Sequence, residues 1–95
     1  MVDNFEPLVE ALQNKLQVTL IYDKKTTGEV VTHTGGIYEI NDQDPHGSTL
    51  WLWDTALNDR IRRFYLDRIV SFQVLDTPFM PPQPWPLKLN GQILA

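Results

Sequence analysis

The chain has 95 residues, 42% of them apolar and 11% aromatic, which suits one small domain with a single core and is too hydrophobic for disorder throughout. Eight basic against twelve acidic residues leave a net charge of -4, a weak footing for phosphate-backbone binding, whose strength grows with the number of cations presented. The absence of cysteine excludes a disulfide scaffold, a thiolate metal centre and a cysteine nucleophile.

Pro7 suits the first turn of a helix, where its missing N–H has no intrahelical partner, and Asp3, Glu6 and Glu10 favour the positive end of the helix dipole. Phe5, Leu8, Val9, Leu12 and Leu16 recur every three to four residues, so an amphipathic helix is predicted over 7–16. From Val18 the period becomes two. Val18, Leu20 and Tyr22 share one face of a first strand, and the polar stretch 23–28, ending in Gly28, predicts a hairpin into Val30-Val31-Thr32. This second strand continues through Gly35-Gly36 into 37–40, and the paired glycines mark a bulge or bend. A turn-rich octapeptide, 41–48, precedes an apolar strand over 49–53, with Trp51 and Trp53 on one face and Leu50 and Leu52 on the other. After a polar connection over 55–59, a fourth strand is predicted over 60–66 and a fifth over 69–75. Only Asp67-Arg68 lies between them, room for a tight turn or a single 3₁₀ turn.

Five of the seven prolines fall between Pro78 and Pro86, which forbids a helix or central strand and favours an extended polyproline-II strap. Phe79, Met80, Trp85, Leu87, Leu89 and Ile93 are too apolar for a solvated linker. The strap is expected to pack on the preceding unit over an open edge or mouth, with a docking peptide for another protein as the alternative. The predicted division is therefore a helix-capped barrel over 1–76 and an extended tail over 77–95. The fold class is mainly β with one N-terminal helix, a five-stranded SH3-like or Sm-like small barrel.

No apolar run approaches the roughly 20 residues of a membrane span, and the opening Met1-Val2-Asp3-Asn4-Phe5-Glu6 lacks the cationic and apolar blocks of a secretory leader. A cytoplasmic protein with no membrane partner is expected. Asp42, Asp44 and His46 begin like a calcium loop, but Trp53 stands where a bidentate carboxylate is required, and His33 and His46 lie in different elements, so no metal site is predicted. His33 reads as a strand residue with a hydrogen-bonded ring. Ser48 and Ser71 lie in no nucleophile elbow, and no phosphate cradle is present; neither catalysis nor a cofactor is expected.

Residues 1–59 carry ten acids and three lysines, whereas 60–95 carry two acids, four arginines and Lys88. Arg60, Arg62, Arg63 and Arg68 either pair with cross-strand carboxylates or form a patch for an anionic partner. Tyr38, Trp51, Trp53 and Tyr65, with Arg62 and Arg63, form the candidate partner-binding set. Their rings either anchor a partner or belong to the core and the underside of the strap. Another protein is the expected partner; single-stranded nucleic acid is disfavoured by the net charge, and the oligomeric state is open.

Leu20-Ile21-Tyr22, Thr34-Gly35-Gly36-Ile37-Tyr38-Glu39-Ile40, Leu50-Trp51-Leu52 and Phe64-Tyr65-Leu66-Asp67-Arg68-Ile69-Val70 together resemble the pattern of the YolD-like family over residues 8–72. That resemblance implies a bacterial or phage accessory protein associated with lesion-bypass DNA polymerases, without catalysis of its own. The chain departs from the family in its proline-rich tail and in lacking the Arg-Pro and Trp-containing lead before the helix. Arg63-Phe64-Tyr65-Leu66-Asp67-Arg68-Ile69 is also similar to the end of WYL domains, which implies the alternative of a regulatory module sensing nucleic acid or a small ligand; the Trp-Tyr-Leu triplet itself is absent.

Overall fold

The computed structural model describes residues 4–24, 28–41, 47–55 and 60–94. Helix α1 (Glu6–Gln13) opens with Pro7 in its first turn and buries Leu8, Ala11 and Leu12. It stops three residues short of the predicted end because Lys15 takes a left-handed conformation (φ 55°), turning the chain so that Leu16 begins strand β1 (Leu16–Lys24). Val18, Leu20 and Tyr22 of β1 are buried, as the period-two pattern requires.

β2 (Glu29–Asn41) is one long strand shared between two neighbours. Its first half pairs antiparallel with β1 from Glu29 to Gly36, and its second half pairs with β3 (Thr49–Asp54) from Gly35 to Asn41. β3 pairs with β4 (Arg60–Tyr65), a 3₁₀ turn at Leu66–Arg68 reverses the chain, and β5 (Ile69–Pro78) returns to the far side of β1. The order is β4-β3-β2-β1-β5, antiparallel throughout. Among the described residues no ladder joins β4 to β5, so hydrogen bonding leaves the sheet open where a closed five-stranded cylinder was predicted. The sheet is nevertheless strongly curled. The ring of Tyr22 in β1 meets Phe64 of β4 edge-on at 4.9 Å, and its hydroxyl accepts the backbone N–H of Tyr65 at 3.0 Å.

The tail departs from a purely extended strap. After Phe79 it crosses the outer side of the sheet and ends in a small hairpin, β6 (Lys88–Leu89) and β7 (Gln92–Ile93). Asn90 (φ 52°) and Gly91 (φ 82°) form its turn, both in the left-handed region that a two-residue hairpin turn demands. β6 pairs in parallel with Glu39 and Ile40. It thereby takes the edge that β2 leaves free beyond its ladder with β1, and Asn90 N–H donates to Ile40 O at 2.8 Å. Phe79 and Leu87 of the tail are buried with the core residues of the sheet and helix. Among the described residues no helix is long and apolar enough to cross a membrane.

Candidate functional site

The two faces of the sheet have different chemistry because side chains alternate along each strand. On the core side, Ile37 and Ile40 of β2 stand opposite Leu52 and Leu50 of β3. Two residues separated by three positions can share a face only if the strand carries an extra residue. That residue is Tyr38, inserted where Ile37 pairs with Leu52 and Glu39 already pairs with Trp51. The bulge lies beside the glycines that mark it, and it turns Tyr38 to the outer side.

There Tyr38 is the centre of an aromatic cluster. Its ring lies 5.4 Å from Phe79, 5.4 Å from Trp85 and 6.2 Å from Trp53, while Trp53 meets Trp85 at 6.0 Å. Edge and tilted contacts of this kind suit the ring quadrupoles. The Tyr38 hydroxyl donates to Gln83 O at 3.2 Å and accepts from Gln83 N–H at 3.0 Å, so both backbone groups of one strap residue bind a single side chain. The glycines make the approach possible. A Cβ on Gly36 would stand 1.9 Å from Cγ of Phe79, and one on Gly35 would stand 1.7 Å from the backbone oxygen of Trp53. Tyr38 is consequently buried under the strap, whereas Trp51 and Trp53 are half-buried.

Beside the strap a groove of about 350 Å³ remains open, walled by Tyr38, Trp51, Ile61, Trp85 and Pro86, with Glu39 and Lys88 as its charged members. Cross-strand register continues this face outward: Trp51 stands opposite Arg63, and Thr49 opposite Tyr65. The Arg63 guanidinium lies 5.9 Å from the Trp51 ring and 5.4 Å from the Tyr65 ring, and it donates to the Tyr65 hydroxyl at 3.3 Å. Arg68, from the 3₁₀ turn, lies 5.1 Å from the same tyrosine ring.

Arg62 is elsewhere. Adjacent residues of a strand face opposite ways, so Arg62 and Arg63 cannot both join the outer aromatic row. Arg62 turns to the core side, where its Nε stands 3.2 Å from Oδ2 of Asp54. The same oxygen lies 2.7 Å from Nδ1 of His33, whose ring packs at 4.7 Å on Phe64. His33 and Asp54 are fully enclosed. The expected hydrogen bond of the His33 ring is thus to Asp54, a partner legible only after the register of β2 and β3 is known.

Of the six candidate residues, Tyr38, Trp51, Trp53, Arg63 and Tyr65 share the outer side of the sheet, and Arg62 is separated from them. Trp85 and Arg68, absent from that set, complete the surface, and Phe79 is buried against Tyr38. The acidic calcium-like segment 42–46, including His46, lies outside the described residues; among those described, no group of three or more His, Cys, Asp or Glu side chains is arranged to hold a metal ion. Compared with family models, with curated proteins and with solved structures, the chain matches none.

Proposed function

We propose that the protein is a non-enzymatic docking module of the SH3-like small-barrel type, whose open aromatic groove receives an extended segment of a protein partner. The observation that carries this reading is the half-open groove between Trp51, Ile61 and Trp85, beside which the chain's own proline-rich strap already lies on the same face. A surface that binds an extended, proline-flanked backbone in cis has the rings and hydrogen-bonding hydroxyl to bind another in trans. Among the described residues the buried pair that resembles acid–base machinery, His33 with Asp54, is enclosed against Phe64 and ion-paired with Arg62, which supports a structural role for it.

The YolD-like residue pattern supports a partner from the lesion-bypass DNA polymerase machinery of a bacterium or phage. The WYL-like pattern supports the alternative of a nucleic-acid or small-ligand sensor using the same rings. The test is retention of binding proteins by the immobilised full chain and by an Ile61→Asp variant, followed by reconstitution with the purified partner. Loss of a direct, reconstituted complex on Ile61→Asp is expected. An unchanged complex removes the groove from the interface, and oligonucleotide binding that weakens steeply with salt establishes the sensor instead.

A further inference from the structure

We infer that the partner segment carries acidic residues beside its apolar anchor, and that Arg63 and Arg68, splinted on Tyr65, are the clamp that reads them; this rests on the docking reading above. Both guanidiniums lie against one tyrosine ring, at 5.4 and 5.1 Å from its centre. Among the described residues neither arginine has a carboxylate within salt-bridge distance, whereas Arg62, one position away from Arg63, is committed to Asp54. Stacking on an aromatic ring holds a guanidinium in place without using its in-plane donors. Arg63 spends one N–H on the Tyr65 hydroxyl, and among the described residues no carboxylate engages the remaining donors of either group, which have the fork geometry that a carboxylate fits.

Continuity with the groove fixes where the acids must lie. Register sets Lys88, Glu39, Trp51 and Arg63 in one row across β6, β2, β3 and β4, so a lysine and a glutamate stand side by side before the indole and positive charge alone stands beyond it. An extended segment with its apolar residue in the groove over Trp51 and its carboxylates over Arg63, Tyr65 and Arg68 matches that order. A nucleic-acid strand does not: its phosphates are evenly spaced, so those following the groove meet Glu39, and Arg63, Arg68 and Lys88 are too few cations to give much backbone affinity. The alternating surface therefore favours a peptide with charge on one side of its anchor.

The experiment is a heteronuclear NMR titration of the full chain with two short synthetic peptides sharing a leucine-proline core and differing only in glutamate or glutamine flanks, with oligothymidylate as a third probe. The glutamate peptide is expected to bind roughly tenfold more tightly at low salt. It should move the Trp51 indole and the Arg63 and Arg68 Nε signals, and in an Arg63→Gln, Arg68→Gln variant the two peptides should bind alike. Both arginines lie outside the core, and the spectrum of the free variant reports its folding in the same experiment. Equal binding of the two peptides to the unaltered chain overturns the clamp while leaving the groove standing. No shift at Trp51 or Ile61 with either peptide overturns both. Oligothymidylate that moves the same signals, more tightly than the glutamate peptide, replaces the acidic segment by nucleic acid.

Discussion

Asp54 is fully buried and its Oδ2 is hydrogen-bonded to His33 Nδ1 and ion-paired with Arg62, whose Nε lies 3.2 Å away without a hydrogen bond of its own. Removing the carboxylate leaves both groups without it. Asp54→Ala is expected to destabilise the protein by about 3–5 kcal/mol, the usual consequence of deleting one member of a buried charged set. Made in a His33→Ala background the same change should cost less by about 1–2 kcal/mol, because one of the two stranded groups is already gone; urea titrations of the four proteins measure that coupling. Additive effects would mean that the two side chains do not interact in solution. The adjacent glycines give a second contrast. Gly36→Ala sets its methyl against the Phe79 ring, which can swing away at the expense of its burial, about 2 kcal/mol. Gly35→Ala meets the backbone oxygen of Trp53, which can move only if β2 and β3 part. Gly35→Ala should therefore prevent folding, and Gly36→Ala should give a folded protein with Phe79 and the strap displaced, seen in the methyl and aromatic NMR signals. At this scale the sequence was partly legible: alternation places Leu50, Leu52 and Asp54 together, but nothing in a linear reading pairs Asp54 with His33, twenty-one positions away. Alternation likewise separates Arg62 from Arg63, and grouping them by charge overlooked it.

Elements were legible wherever one periodicity dominates, which is why α1 and the core faces of β1 and β3 follow from the spacing of apolar residues alone. Their ends were less so. Leu16 fits both the helical stripe and the strand face, and the conformation of Lys15 decides between them. That residue holds φ 55° while its carbonyl accepts the N–H of Phe79 at 2.7 Å, so a single backbone position sets the exit of α1 and the start of the strap. A left-handed lysine costs on the order of 1–2 kcal/mol relative to its ordinary conformations, and glycine escapes that cost but gives up more chain entropy on folding. Lys15→Gly is expected to stabilise by about 0.5–1 kcal/mol net. Lys15→Ala should leave stability close to that of the unaltered chain, and thermal melts of the two variants check the difference. Asn90-Gly91 is the opposite case. Its two residues, between Leu89 and Gln92, carry a strong local hairpin signal, and the density of prolines just before it concealed a turn that the structure uses to lay β6 along β2.

Across the whole molecule, the tail behaves as part of the domain rather than as an appendage. The radius of gyration is 12.4 Å, close to the ~12 Å of one compact unit of this length. Two tail residues, Phe79 and Leu87, are at most 7% exposed; burying side chains of this size stabilises by roughly 2–3 kcal/mol each, so they contribute about 4–6 kcal/mol before any hydrogen bond is counted. A domain this small has a total stability on the order of 5–15 kcal/mol. The tail's share is thus comparable to the whole margin, and its loss also uncovers Tyr38 and the part of β2 that β6 pairs with, a free edge open to pairing between chains. Truncation after Pro78 is expected to leave a chain that is largely unfolded or self-associated at room temperature, whereas the full chain unfolds in one transition reported alike by circular dichroism and by tryptophan emission. Light scattering and urea titration of the truncated chain decide the point. If it stays monomeric and unfolds within about 1 kcal/mol of the intact protein, a smaller change than burial of either side chain alone predicts, the curled sheet is self-sufficient. The strap would then be a ligand that the domain carries, and the aromatic face beneath it would be free to exchange it for another.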